Sequence, residues 1–598
     1  VQSLPVWLRS LLSVPALLGA ALRPSPEPSG ATPLQGWPRF FFLASLYALM
    51  ILRWGYEYGR NDQMQTLAYA QMLADPTLYP ADFYLRGIHE HVPNERFVFS
   101  RLLAFGAGHL PLISFVGHLL FSLLLLHGLD RIARHFVGNH ALRWGLLFAL
   151  FVPLYGVNLG SNELWYNSFF VSNVVKTLGI AGLGWLLRGH YWRVFAAFSA
   201  AAFLQPVVGI HLYGLASAAL LLQLLGRKKF RPGATRSGSP KVPPSGSPSA
   251  APSASRSAKP IGSLPAAPSA SSEARSSAAP DLTWKTWGGL NALWLLSAGV
   301  WIVFLRLHFE EESPPVPDRF FDILFIFRAP HHYWPPSWSA SSWLVIGTLT
   351  LAAGLFFRRR SPLLAGWVVW SVVACGLYLL GAVGGRLTEF GALQAFKVTI
   401  WLEFLGLVAL AGWLEPAANW ILSPLVQRRF VQSLPVLTLV AAVAAFAYGD
   451  QLPMNVPRDT LPLHRRGSAV DISLQALALS PTEACFAHPI SFTELKVYGQ
   501  RSSYVDYKVL VHTRAAMHRW YERIQRLYGL SIEQELPASQ RYSYADAYFR
   551  SLSPETCQDL AGQSITHLLT FSQVSLPFPE LCRNRDWVIY VLPADGVP

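Results

Sequence analysis

Residues 53–101 read RWGYEYGRNDQMQTLAYAQMLADPTLYPADFYLRGIHEHVPNERFVFSR and lie between two apolar segments. The reading of this stretch decides how the chain folds and where its chemistry sits. It sets Asp62 just past the first apolar segment, Asp82 twenty residues later, and then the cluster His89, Glu90, His91, Glu95 and Arg96. A polar, aromatic-rich loop of this length is too particular to be a plain connector, because long loops kept in a fold usually carry function. We read it as the roof of a site on the outer face of a polytopic membrane protein.

Working outward, the composition agrees. The chain has 598 residues, of which 52% are hydrophobic and 14% charged, with 21 Trp. Soluble domains carry about 25% charged residues. The net charge of +14 is spread over short basic clusters between apolar segments, which is how membrane proteins set their orientation. No nucleic-acid signature accompanies it, so the expected partners are a lipid bilayer and no nucleic acid. The four cysteines have no metal-ligand spacing. Three of them, Cys485, Cys557 and Cys582, fall late in the chain and allow one bridge, with Cys557–Cys582 the favoured pair.

A helix needs about 20 apolar residues to span a bilayer. Eleven spans are expected, near 39–54, 112–129, 143–158, 168–187, 194–208, 210–226, 284–307, 341–357, 363–383, 391–413 and 431–448. The stretch 194–226 divides in two at Gln205-Pro206 and Gly209, because proline breaks a helix. With that division, Arg131/Arg134/Arg143, Arg188/Arg193, Arg227/Lys228/Lys229, Arg358/Arg359/Arg360 and Arg428/Arg429 fall on one side, which the positive-inside rule makes cytoplasmic. The expected organisation has a cytoplasmic or interfacial segment at 1–38, with an apolar run at 6–22 interrupted by Arg9 and Pro15. A first bundle follows at 39–226 with its outer loop at 54–111. A Ser/Pro/Ala linker at 227–283 is too polar to fold. A second bundle occupies 284–448, with an outer loop at 308–340. Beyond 449 the composition turns soluble, and EACFAHP, SSYVDYKVLV, HLLTF and DWVIYVL alternate with helical stretches at Thr513–Tyr528 and Tyr544–Leu552. That alternation predicts a small extracytoplasmic α/β domain.

The ionisable residues divide by side. Arg and Lys dominate inside, whereas Asp62, Asp82, His89, Glu90, His91, Glu163, Glu310–Glu312, Asp318, Arg328, His331, His332, Arg386 and Glu389 lie outside. Such a mixture supplies a general base, cations and rings for stacking. Asp62 also has the spacing of a helix cap ahead of QMQTLAYAQML, in which Met64, Leu67, Ala68 and Met72 share a face. Asp82 equally suits turn chemistry in LYPADFY. His89 and His91 could join His331 and His332 around a divalent cation. Arg328, ahead of APHHYWPPSW, suits a phosphate as a bidentate donor, or an interfacial anchor beside Trp334 and Trp338. Lys176 and Lys397 fall inside spans near their outer ends, where snorkelling is the alternative to a role toward a lipid phosphate. Arg60, Arg96 and His211 complete the candidate binding residues. Glu403, about 240° round the helix from Lys397, needs a partner from another helix.

Taken together, the long first outer loop with an early acid, the outer-face polar groups and the terminal soluble domain resemble the GT-C superfamily of membrane glycosyltransferases. YGRNDQMQTLAYAQMLADPTLYPADFY, FRAPHHYWPPSW and FTELKVYGQRSSYVDYKVLV, with WYERI after it, more narrowly resemble a family of bacterial multi-pass proteins. The resemblance implies sugar transfer from a polyprenyl-phosphate donor to an envelope acceptor at the bacterial inner membrane. It maps the catalytic acid to Asp62, with Asp82 second. No Asp-x-Asp pair is present, so the metal is left open. Two rivals remain: a transporter or flippase relaying through Lys176, Lys397 and Glu403, expected to show an inverted repeat, and a non-catalytic envelope scaffold. In the scaffold, Arg501, Asp506 and Lys508 are the polar residues of interest, with strand-edge solvation as their plain explanation.

Overall fold

The computed structural model describes residues 36–229, 282–308, 317–421, 467–534 and 536–593. Apart from three scattered positions, the expected span at 431–448 lies outside the described residues, as do 1–35 of the N-terminal segment, 230–281 of the linker and Glu310–Glu312.

The chain is mostly helical with one small sheet. Each expected span before residue 431 coincides with a helix, but not each is long. Among the described residues, six segments are long and apolar enough to cross a membrane: Ala107–Ala133, Pro206–Gly226, Trp284–His308, Ala340–Arg360, Pro362–Gly384 and Thr388–Trp420. The spans expected at 143–158, 168–187 and 194–208 are helices of 12, 16 and 14 residues. At 1.5 Å per residue these reach roughly 18–24 Å, short of a hydrocarbon core of about 30 Å. Local chemistry truncates them. Pro153 follows the helix His140–Phe151 closely, and the polar run SNELWYNS precedes Val171–Leu186.

The division of 194–226 is as expected. Tyr191–Leu204 ends at an extended Gln205, and Pro206–Lys229 starts on the proline. The two helices fold back so closely that a Cβ on Gly209 would sit 2.3 Å from the Ala202 Cα. Only glycine fits there. Similarly, a Cβ on Gly406 would meet the Leu349 carbonyl oxygen at 2.5 Å, which brings Thr399–Ile421 hard against Ala340–Arg360. Outward faces stay apolar and bare, with Leu296 75%, Leu344 72% and Leu380 74% exposed, the pattern of a surface meant for something other than water.

One end of the bundle is basic. Asp130, fully buried, receives Arg39 at 2.7 Å and both Arg134 and Arg143 at 3.3 Å. Glu415 accepts from the Asn139 backbone at 2.6 Å, and Phe136 packs on Phe356 and Phe357 just before the Arg358–Arg360 cluster. A buried acid among arginines ties the helix ends together, because an unpaired charge there would cost several kcal/mol, about 3–5.

After residue 467 a five-stranded sheet forms, comprising β1 Cys485–Ala487, β2 Ser502–Ser503, β3 His567–Phe571, β4 Glu580–Arg583 and β5 Trp587–Val591. The spatial order is β2-β1-β3-β5-β4, with β1 parallel to β2 and β3, and β5 antiparallel to β3 and β4. Helices cover both faces, confirming the expected α/β character. Ser468–Leu479 packs on one side, with Phe486, Leu569 and Ile589. Arg514–Tyr528, Ala538–Arg550 and Pro554–Ala561 pack on the other, with Cys485, Leu568 and Tyr590. The expected Cys557–Cys582 bridge is absent and all four cysteines are free. Cys557 belongs to the second of these cores and Cys582 borders the first, so the sheet stands between them.

Only two residues of SSYVDYKVLV enter the sheet. Beyond Ser503 the segment leaves it and runs along the boundary with the helical part. Val509 and Val511 join the core of the helical bundle, while Tyr504, Val505, Tyr507 and Leu510 join that of the sheet domain. The alternation that reads as a strand is satisfied by two different cores.

Candidate functional site

At the end of the bundle opposite the arginine cluster, reached by running Val171–Leu186 back from Arg188 toward Lys176, lies a cavity of about 400 Å³. Its walls come from both long loops, from helix ends, and from the domain after residue 467. Eight of the anticipated residues face it together: Asp62, Arg96, Lys176, His211, Arg328, His331, His332 and Lys397.

Asp62 reaches the cavity through a tight turn. Gly59 has φ +70°, and a Cβ there would lie 2.6 Å from the Tyr498 ring. Asn61 has φ +50°, held by a bond from its Nδ2 to Glu57 Oε2 at 2.8 Å. A non-glycine residue in this left-handed region costs roughly 1–2 kcal/mol. Ser161 (φ +46°) and Gln394 (φ +48°) also line the cavity, so backbone strain gathers at its rim. Asp62 does not cap the helix Gln63–Ala74, since its side chain makes no capping bond. Gln63 closes the turn instead, accepting from Gly59 N at 2.8 Å. The Asp62 carboxylate is thus exposed to the cavity and uncommitted to its own helix.

The expected single buried face of that helix is also corrected. Residues 63–72 are all buried, because the later domain covers the polar side. Gln71 Nε2 donates to the Val497 carbonyl at 3.1 Å, and Gln65 Nε2 to that of Lys508 at 3.5 Å.

The cations are arranged unequally. Lys176 is engaged, donating to the Glu163 carbonyl and standing 3.9 Å over the Tyr166 ring. Lys397 follows the left-handed Gln394, whose side chain donates to Tyr333 Oη. Its ammonium has no hydrogen bond or ion pair among the described residues. Arg328 donates through Nη2 to the Lys508 carbonyl at 2.8 Å and lies 4.8 Å over the Tyr507 ring, while its Nε is buried without an acceptor. Arg96 sits 3.6 Å from Glu95, which also meets His512 at 3.5 Å. His332 bonds the Gly160 carbonyl at 2.8 Å through Nδ1. Burial, aided by neighbouring cations, lowers His332 to about 4 and His331 to about 3, so both are neutral near pH 7. Five cations (Arg96, Lys176, Arg328, Lys397 and Lys508) line the cavity with two carboxylates, Asp62 and Glu163, and with Arg96 paired to Glu95 a positive excess remains. The surplus favours an anionic ligand.

The remaining candidates lie elsewhere. Asp82 is sealed between the first loop and the later domain, where it accepts from Leu85 N at 2.8 Å, Ser503 N at 2.9 Å and Lys496 Nζ at 2.8 Å. Lys496 also meets Asp506 at 2.6 Å, and Asp506 meets His488 at 3.3 Å. Burial raises the Asp82 carboxyl and Lys496 opposes it. Asp506, likewise penalised by burial, is held at about 2 by Lys496 and His488. Asp82 caps Phe83–His89, a role that turn chemistry accounts for. Arg60 is paired with Glu494. His89 and Glu90 are exposed and His91 part-buried, all three away from the cavity. The four histidines do not assemble into a metal site, and no group of three or more His, Cys, Asp or Glu among the described residues does so. Glu403 is buried without a hydrogen-bonding or ionic partner among the described residues, and it is not part of the cavity lining.

A family model described as Domain of unknown function (DUF6798) matches residues 475–527. No curated protein matches the chain. The matched segment contains Lys496, Asp506, Lys508 and His512, so it supplies the partners that seal in Asp82 and one wall of the cavity. Sequence reasoning missed His512, Tyr333 and Gln394 as lining residues, and it singled out Lys508 only for a scaffold surface, with strand-edge solvation as its plain explanation. The available signal was Val509 and Val511, whose alternation in a short segment marked it as buried on both sides.

Proposed function

We propose that this chain is an integral membrane glycosyltransferase of GT-C type, moving a sugar from a polyprenyl-phosphate donor to an acceptor outside the cytoplasm. The observation that carries the reading is an uncapped carboxylate, Asp62, opening into a cavity lined by Arg328, Lys397 and Lys508. In this reaction Asp62 takes the proton of the acceptor hydroxyl as its oxygen attacks the anomeric carbon. The bond from that carbon to the phosphate oxygen breaks, and the phosphate leaves with the bonding pair. Arg328 and Lys397 meet its charge as it develops, the electrostatic part of the catalysis.

Six apolar helices with bare outward faces support a membrane setting. The eleven-pass path is part of this reading, with its last span, at 431–448, outside the described residues. The basic end then faces the cytoplasm, and the cavity and the later domain lie beyond a bacterial inner membrane. The test is Asp62→Asn assayed in membranes with lipid-linked sugar. Activity is expected to fall about 10²–10⁴-fold, the range of general-base catalysis. Full activity in the variant removes Asp62 from this role.

A further inference from the structure

We propose that Lys508, brought by the domain after residue 467, is a ligand-binding residue of the cavity and grips the anionic group there together with Arg328. Lys508 in that role deepens the transferase reading and rests on it for the identity of the anion, a phosphate monoester carried on an isoprenyl chain.

The first support is the path of the chain. Residues 504–512 leave the sheet and lie between the two cores, with Val509 and Val511 on one side and Leu510 on the other. Side chains on both flanks pin this strap, and Lys508 is carried to the cavity wall.

Next, the main chain and side chain of Lys508 have separate tasks. Its carbonyl oxygen accepts from Arg328 Nη2 at 2.8 Å and from Gln65 Nε2 at 3.5 Å. Those bonds hold the strap whatever the side chain is. The ammonium makes no hydrogen bond or ion pair among the described residues, so no internal carboxylate explains a lysine at this point.

Arg328 supplies the third support. One of its nitrogens is spent on the Lys508 carbonyl, and its buried Nε has no acceptor. A buried donor left open costs about 1–3 kcal/mol or more when charged, and a phosphate oxygen would satisfy it. Because Arg328 is tied to the backbone of Lys508, the two cations arrive as a unit. With Lys397 on the same cavity, Arg328, Lys397 and Lys508 are three cations with no ion pair to a carboxylate among the described residues, and they repel one another. A bound anion relieves that repulsion. A lysine merely solvated at the rim would do none of this.

The experiment uses the full chain purified in detergent and titrated calorimetrically with farnesyl phosphate, inorganic phosphate and farnesol. Variants are Lys508→Ala, Lys508→Arg and, as a charge-loss control on the same domain, Arg585→Ala, whose side chain is 93% exposed. Farnesyl phosphate is expected to bind about tenfold more weakly to Lys508→Ala, the loss of one charge-assisted contact. Lys508→Arg should recover most of the affinity and Arg585→Ala should match the parent. Equal affinity in Lys508→Ala overturns the proposal, as does farnesol binding as tightly as its phosphate, or a parent protein that binds neither phosphate. If both phosphates bind equally well and both weaken in Lys508→Ala, Lys508 stands as an anion ligand and the lipid source is wrong. If the lipid phosphate binds through Lys508 but no lipid-linked sugar is turned over, Lys508 stands and the transferase reading falls.

Discussion

Asp62 and Asp82 lie twenty residues apart in one loop, and the fold treats them in opposite ways. Asp82 is fully buried, with two backbone donors and an ammonium on its two oxygens. Asp62 has no capping bond and opens into a cavity with excess positive charge. The Asp82 cluster is complete within the protein; the Asp62 cavity is not. A buried charge whose partners are all internal holds structure together, whereas uncompensated charges around a void anticipate a ligand. The teaching is that acid-rich loops should be divided by where the counter-charge comes from, not by proximity in sequence.

The sharpest way to break that contrast is at Lys496. Lys496→Met strands Asp82 and Asp506, both buried, without their shared cation. Stability of the purified chain, followed by thermal melting, is expected to fall by about 3–5 kcal/mol. An unchanged melt would erase the distinction between the two clusters. Asp62→Asn should do the reverse, with the activity loss given above and a stability change within about 0.5 kcal/mol, as for a group without internal partners. A large melting shift in that variant would mean the acid is structural after all.

A pH profile sharpens the comparison further. His332, lowered to about 4 by burial and the surrounding cations, binds a proton less readily when folded than when unfolded. The unfolded chain therefore takes up the proton first, near its ordinary value of about 6.5. Stability is expected to decline as pH drops from about 6.5 toward about 4, and His332→Gln should flatten that part of the curve. An identical decline in the variant would assign the loss to other groups. The smallest effect belongs to the cysteines. With the sheet between Cys557 and Cys582, adding reductant should leave the melting temperature unchanged, and thiol labelling of the unfolded chain should count four free groups.

Hydropathy alone located the apolar helices described before residue 421, because a long apolar run has few alternatives to a helix, but it gave no sign of the short loop helices Phe83–His89 and Phe97–Ala104. It overstated their lengths at 143–208, where proline and polar neighbours end helices early. The local pattern around Asp62 suggested a cap, and a glutamine one residue later took the turn instead. Alternation in SSYVDYKVLV suggested a strand, since period two reports burial on two sides without saying which two bodies supply it.

What the sequence determined by itself was a many-helix apolar chain, the break at Gln205-Pro206, an α/β terminal domain, and the residue types available for chemistry. Those are consequences of local composition and period. Only the tertiary structure decided that the domain after residue 467 packs against the first loop, sealing Asp82 with Lys496 while Lys508 joins the wall of the cavity that Asp62 faces. Contacts across more than four hundred residues depend on which surfaces bury each other, and side-chain burial, not order along the chain, determines which charges find partners.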